Sequence, residues 1–297
     1  MKPAPIKLRP AVKWHGGKTY LARPIVSLFP PHGVYVEPFA GGLSVLLNKP
    51  RCPVEVAGDL DPGLIHLYRT LTADPGLRRE LRSLAYDRRT FDEAAAWLAS
   101  EDGRRRAVGF LVRNRFSRGG LGRDFAWSER LRGGQPGDKN AWETFVAREL
   151  DAVAARLAGV QLVPGPALDL IRRYDGPDTV IYADPPYVPS TRTAPDAYRY
   201  EMTADQHREL LRALRGCRGA VFLSGYRSPL YDEALAGWGR VDWNMPNHSG
   251  QGRSKQRRTE SVWINAVASK LPKPGDGGRR QAAGGGSSPG QHAGQHP

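Results

Sequence analysis

Four consecutive residues, Asp184-Pro185-Pro186-Tyr187, bring an acid, a backbone acceptor and an aromatic ring together within one turn. A carboxylate accepts hydrogen bonds from an amine, and Pro185, which has no N–H, still offers its carbonyl as a second acceptor. Tyr187 adds a flat face against which a planar base would stack. The set reads as a clamp for an exocyclic amino group on a flat ring. The apolar run Thr179-Val180-Ile181-Tyr182-Ala183 comes immediately before it and reads as a buried strand cut off by the two prolines. Such a strand delivers the clamp to the carboxyl edge of a sheet, where open α/β sheets bind ligands. Taken alone, the four residues fit a solvated acid in a Pro-rich turn equally well.

Residues suited to holding a small ligand lie earlier in the chain. Lys13-Trp14-His15-Gly16-Gly17-Lys18 offers glycines for close backbone approach, flanked by lysines and by an indole able to cover a ring. Val34-Tyr35-Val36-Glu37 reads as a first strand, Pro38-Phe39-Ala40-Gly41-Gly42 as a tight turn, and Ser44–Asn48 as a helix start. Strand, glycine turn and helix open a Rossmann-like nucleoside site. The pattern is not Gly-x-Gly-x-x-Gly, and Glu37 at the strand end would repel a pyrophosphate. This counts against a dinucleotide-dependent dehydrogenase and favours a cationic ligand without phosphates, such as S-adenosyl-L-methionine. A second strand, Val54–Gly58, ends near Asp59 and Asp61. Asp59 is the candidate for a ribose hydroxyl, and Asp61 reads as the cap of a helix starting near Gly63.

The positioning elements follow from the remaining pattern. Further strands are expected at Val160–Val163, Gly219–Leu223, Gly239–Trp243 and Thr259–Ala266. Between residues 73 and 158 the strand-helix alternation stops. Helical patterns (Leu77–Ala85, Phe91–Leu98, Arg104–Phe116, Ala141–Leu157) enclose the Gly- and Arg-rich loop Ser117–Phe125, as an inserted lobe would. The expected organisation is a catalytic domain over 1–72 and 159–270, the inserted lobe over 73–158, and a low-complexity, disordered tail over 271–297. The loop after Tyr187, Val188–Thr193, is expected to close over a bound base.

The 297 residues carry a formal charge of +14, and such a surface attracts nucleic acid. The charge is clustered, with a net +7 over Arg104–Arg132 and +6 over Ser249–Arg280. Arg115, Arg118 and Arg123 are the candidate DNA contacts, with Arg253–Arg258 as an alternative footprint. Two isolated cysteines and no metal-ligand spacing of histidines predict neither disulfide nor metal. No apolar run suits a membrane, and Met1–Lys7 lacks the core of a secretion signal, so a cytoplasmic location is expected.

With these motifs in order, the chain from Lys13 to about Ala266 resembles the Dam-like, adenine-N6-specific DNA methyltransferases. The Lys-Trp-His-Gly-Gly-Lys segment is similar to their N-terminal cofactor motif, Glu37–Ser44 to their glycine motif, and Asp184–Tyr187 to their catalytic motif. Leu43 stands where many members have a second spaced glycine. The resemblance implies a Rossmann-like methyltransferase sheet with an inserted, mainly helical target-recognition lobe. It implies methyl transfer from S-adenosyl-L-methionine to adenine N6 at a specific site in double-stranded DNA. Cytosine-N4 or RNA-adenine methylation, or DNA binding without catalysis, are the alternatives. The implied catalytic residues are Asp184, Pro185 and Tyr187. The implied cofactor residues are Trp14, Lys18, Glu37, Phe39, Gly41, Asp59 and Asp184. A monomer, with or without a cognate restriction endonuclease, is the expected working form.

Overall fold

The structure is a computed structural model that describes residues 8–132, 134–191, 199–246 and 257–270. The tail from Pro272, residues 253–256 and the end of the loop after Tyr187 lie outside the described residues.

The described residues form nine strands: β1 (Val34–Glu37), β2 (Val54–Asp59), β3 (Leu131–Arg132), β4 (Gln135–Pro136), β5 (Gln161–Pro164), β6 (Thr179–Ala183), β7 (Ala220–Gly225), β8 (Gly239–Pro246) and β9 (Arg257–Ile264). The first helices are α1 (Ala22–Val26), α2 (Ser44–Asn48) and α3 (Pro62–Ala73). Between α3 and β5, in the stretch expected to form an inserted lobe, lie α4 (Pro75–Ser83), α5 (Arg88–Trp97), α6 (Gly103–Arg115), α7 (Gly137–Thr144) and α8 (Leu150–Leu157). The last four, after the sheet resumes, are α9 (Ala167–Tyr174), α10 (Ala204–Arg215), α11 (Pro229–Ala234) and α12 (Ala266–Lys270).

Seven strands form one sheet in the order β5-β2-β1-β6-β7-β9-β8. The first five in that order run parallel, and β9 is antiparallel to both β7 and β8. The chain moves outward from β1 to β2 and β5, then returns to lay β6 on the other side of β1. The gap between the carboxyl ends of β1 and β6 is therefore the topological switch point, where this kind of sheet binds ligands.

The pleat assigns alternate residues to opposite faces. On one face Tyr35, Val180, Tyr182 and Phe222 join a core with α1, α2, α3 and the insertion. On the other, Val36, Ile181, Ala183, Val221 and Leu223 pack with residues of α9, α10 and α11. All five residues of β6 are buried, and four of them are apolar, as suits a central parallel strand; the Thr179 hydroxyl is satisfied by the Tyr174 carbonyl at 2.8 Å.

The insertion does not build a core of its own. Leu77, Phe91, Leu111, Phe145 and Leu150 belong to the same hydrophobic cluster as Tyr35 and Tyr182. A buried ion pair reinforces that seam: Arg156 on α8 donates to both oxygens of Glu55 on β2, at 2.7 and 2.8 Å. The helix expected over Ala141–Leu157 is divided, because a π-helical turn at Phe145–Glu149 separates α7 from α8.

Candidate active site

The glycine turn after β1 is fixed on several sides. The Ala40 amide donates to the Gly58 carbonyl at 2.7 Å, and the buried Tyr68 hydroxyl donates to the Gly41 carbonyl at 2.6 Å. Gly41 has φ +43°, and a Cβ there would come within 2.5 Å of the Trp14 indole nitrogen. Leu43, the departure from the glycine motif, has a φ of 56°. A branched side chain in the left-handed region costs roughly 1–2 kcal/mol, which its complete burial helps to offset.

Glu37 ends β1 with a side chain that is 3% exposed. Its Oε2 accepts from the Tyr35 hydroxyl at 2.8 Å and from the Leu46 amide at 3.1 Å. Burial pushes its pKa to about 8, and the nearby Asp184 carboxylate also raises it. At neutral pH this acid is therefore mostly protonated, and a bound cation would ionise it.

Lys18 is the hub of the site. Its side chain is 4% exposed, and its ammonium donates to Asp184 Oδ1 at 2.8 Å, Asp184 Oδ2 at 2.9 Å and the Gly16 carbonyl at 2.8 Å. It also stands 3.5 Å from Glu260 Oε1 and 4.9 Å from the centre of the Tyr187 ring. Burial raises the pKa values of Asp184 and Glu260, and the Lys18 charge counteracts both shifts.

Tyr187 is buried, with its hydroxyl donating to Glu260 and its ring edge-on to Tyr226 at a centroid distance of 4.5 Å. It does not present the open stacking face expected from sequence. The Lys18 ammonium lies over that ring, and the Tyr187–Glu260 hydrogen bond fixes its tilt. Pro185 is buried beside it.

Of the residues expected to hold the cofactor, Trp14, Lys18, Glu37, Phe39, Gly41 and Asp184 line one cavity. Asp59 stands behind it. Its Oδ2 accepts from the Gly41 amide and its Oδ1 from the Asp61 amide, each at 2.9 Å. Asp61 is the N-cap of α3, as expected, and accepts from the Gly63 amide at 2.9 Å. A larger cavity of about 500 Å³ shares Trp14 and His15 with the first and extends to Gly119–Arg123 of the insertion loop.

The loop packs directly against the segment Lys13–Lys18. Asn114 at the end of α6 accepts from the Lys13 amide at 2.7 Å, and donates to the Lys13 carbonyl at 2.9 Å and the Gly120 carbonyl at 3.0 Å. Gly120 has φ +79°, and a Cβ there would meet the Lys13 carbonyl oxygen at 2.2 Å.

Arg118 and Arg123 are exposed on this loop and form no ion pair among the described residues. Arg115 is different and must be removed from the DNA-contacting set. Its guanidinium lies 3.7 Å over the Phe145 ring inside the lobe, and burial pushes its pKa down to about 10. Much of the Arg104–Arg132 charge is likewise used internally. Arg104 pairs with Asp74, Arg105 pairs with Glu80, and Arg113 lies over Phe91.

One acid and one amide carry more of the site than their sequence context suggests. Glu260 was not among the expected site residues, although a signal existed. It shares a face of β9 with Val262 and Ile264, and an acid on an inward apolar face needs a partner. Asn114 gave no such signal, since an amide at a helix end is ordinary. Among the described residues no group of His, Cys, Asp and Glu is placed to hold a metal, and no helix is long and apolar enough to cross a membrane.

Comparison with known proteins shows which family the chain resembles. The DNA adenine methylase of Vibrio cholerae O395 is 29% identical over 206 residues, spanning 63% of this chain and 68% of the relative. That of Escherichia coli K12 is 32% identical over 202 residues, spanning 63% and 68% respectively. A solved rRNA methyltransferase, aviRa from Streptomyces viridochromogenes, is 14% identical with a TM-score of 0.38, covering 84% of each chain. Residues 14–220 match the D12 class N6 adenine-specific DNA methyltransferases, and the chain belongs to that family.

Proposed function

We propose that this chain carries out the adenine-N6 methylation of its family with S-adenosyl-L-methionine, and that Asp184, Pro185 and Tyr187 hold the target base. The observation that carries the reading is the placement of Asp184 beside the glycine turn. A carboxylate after β6 and a glycine turn after β1 line the same cavity at the switch point of the sheet.

The residues present suit a cationic nucleoside cofactor. A glycine turn that a Cβ would fill lies under an indole, and Glu37 and Asp184 line the cavity while Asp59 braces the turn. Trp14, Lys18, Glu37, Phe39 and Gly41 would hold the cofactor, with Asp59 bracing the turn from behind and proposed to accept from a ribose hydroxyl. When bound, that cofactor supplies an electrophilic sulfonium methyl.

The chain's own work concerns the amine. The N6 lone pair of adenine is delocalised into the ring, which makes it a poor nucleophile. Asp184 accepts one N6 hydrogen and the Pro185 carbonyl the other, drawing the nitrogen toward tetrahedral geometry and freeing the pair for in-line attack. The proton that N6 sheds on gaining the methyl passes to Asp184, which already holds that hydrogen. The base reaches the clamp only by leaving the duplex, at a cost of a few kcal/mol that contact with Tyr187 partly offsets. The exposed Arg118 and Arg123 are proposed to contact phosphates, with loop Ser117–Phe125 recognising the duplex.

The test is single-turnover methylation of duplex DNA at saturating cofactor. Asp184→Ala should slow the chemical step by at least about 100-fold while DNA affinity falls much less, because the clamp tightens as the nitrogen rehybridises. A variant that methylates near the wild-type rate would remove Asp184 from the mechanism.

A further inference from the structure

The clamp is already occupied by the protein itself. The Lys18 ammonium bonds both oxygens of Asp184 and lies over the ring of Tyr187, the two features a target base requires. For the base to enter, that ammonium must loosen its hold on Asp184. A second carboxylate stands 3.5 Å away: Glu260, on β9 and 8% exposed.

From this geometry we infer that Glu260 is a positioning residue that draws the Lys18 ammonium off Asp184 when the base arrives, while its bond to the Tyr187 hydroxyl holds the ring in place. The inference rests on the proposed role of Asp184 as the amine clamp.

Charge supports the exchange. A lone Asp184–Lys18 pair is neutral, and a neutral pair gives little stabilisation to an amine that becomes cationic as it gains the methyl. With Glu260 ionised, the three groups together carry one net negative charge in a largely buried site, where such a charge is screened less than in water. The ammonium has three donors and keeps the Gly16 carbonyl in either position, so the shift from one carboxylate to the other leaves it bonded throughout. The topology makes the second seat available. Insertion of β9 antiparallel beside β7 brings a strand from the end of the chain to within reach of the clamp after β6.

Glu260→Gln separates the two roles. A glutamine oxygen still accepts from the Tyr187 hydroxyl, but the charge that attracts Lys18 is gone. The measurements are the single-turnover rate at saturating cofactor and DNA, the dissociation constants of cofactor and duplex, and the melting temperature. The expected result is a rate at least 10-fold below wild type, with both dissociation constants within about threefold. Glu260→Asp keeps the charge on a shorter side chain and should recover part of that rate; if the glutamine variant does not fold, an aspartate variant that turns over at the wild-type rate, with its carboxylate withdrawn from Lys18, would overturn the inference. A glutamine variant as fast as wild type, or an aspartate variant no faster than the glutamine one, would overturn the inference. Loss of cofactor and DNA binding in proportion to rate would also overturn it, because that is the pattern of a structural role alone. None of these outcomes can be mistaken for failure of the clamp itself, since wild-type activity and the Asp184→Ala variant test that independently.

Discussion

Cofactor binding should release a proton, and Glu37 should be its source. In the free protein the Glu37 carboxyl titrates near pH 8, well above the ordinary value of 4.5, because it is buried on the end of β1 with Asp184 nearby. A cationic ligand favours the ionised form, so the bound state must have a lower pKa. Affinity therefore rises with pH up to about 8 and levels off above it. One pH unit below the free-state value, about nine-tenths of Glu37 is protonated. At pH 7 binding should then release about 0.9 proton, and the logarithm of the binding constant should climb by about 0.9 per pH unit. Calorimetry of S-adenosyl-L-methionine binding in two buffers of different ionisation enthalpy reads the proton count directly. Glu37→Gln keeps an oxygen for the Tyr35 hydroxyl and cannot titrate. The difference between the two proteins removes any contribution from the ligand's own amine. The folding linkage has the opposite sign, because folding takes up the proton that cofactor binding releases. A raised carboxyl pKa means that stability is fullest below the ordinary carboxylate range and declines as pH rises toward 8, so the glutamine variant should gain relative stability at alkaline pH. Equal proton release by wild type and Glu37→Gln would refute the reasoning.

The salt dependence of duplex binding should flatten when Arg118 and Arg123 are replaced together by Ala, by roughly 0.9 log units per lost phosphate contact on B-DNA, with cofactor affinity unchanged. Arg115→Ala should leave the salt slope alone and lower the melting temperature instead, since its guanidinium packs inside the lobe. Gly120→Ala should impair DNA and cofactor binding together, measured by titration of each, because its Cβ would force the insertion loop off the Lys13 carbonyl.

The strands and turns of the catalytic sheet were legible because they depend on short-range chemistry. The bounds of β1 and β6 follow directly from β-branched, apolar runs ended by an acid or by prolines. The cap at Asp61 and the glycine turn at Gly41 could be read for the same reason, since one residue's geometry sets each. The Asp184–Tyr187 motif points to its own chemistry through residue type alone.

What lay beyond the sequence is everything that depends on distance between remote segments. Charge counted along the chain suggested a binding face over Arg104–Arg132, yet folding pairs Arg104 with Asp74 and turns Arg115 inward onto Phe145. Asp59 was read as a ribose ligand, and the fold also makes it the brace that joins β2 to the glycine turn. Tyr187 was read as an open platform, whereas Lys18, 169 positions earlier, covers its ring and Glu260, 73 positions later, holds its hydroxyl. A local motif carries its own backbone geometry and donor set, so sequence determines it. The occupancy and protonation of a buried carboxylate depend on which charges the sheet order brings within a few ångströms, and only the tertiary structure decides that.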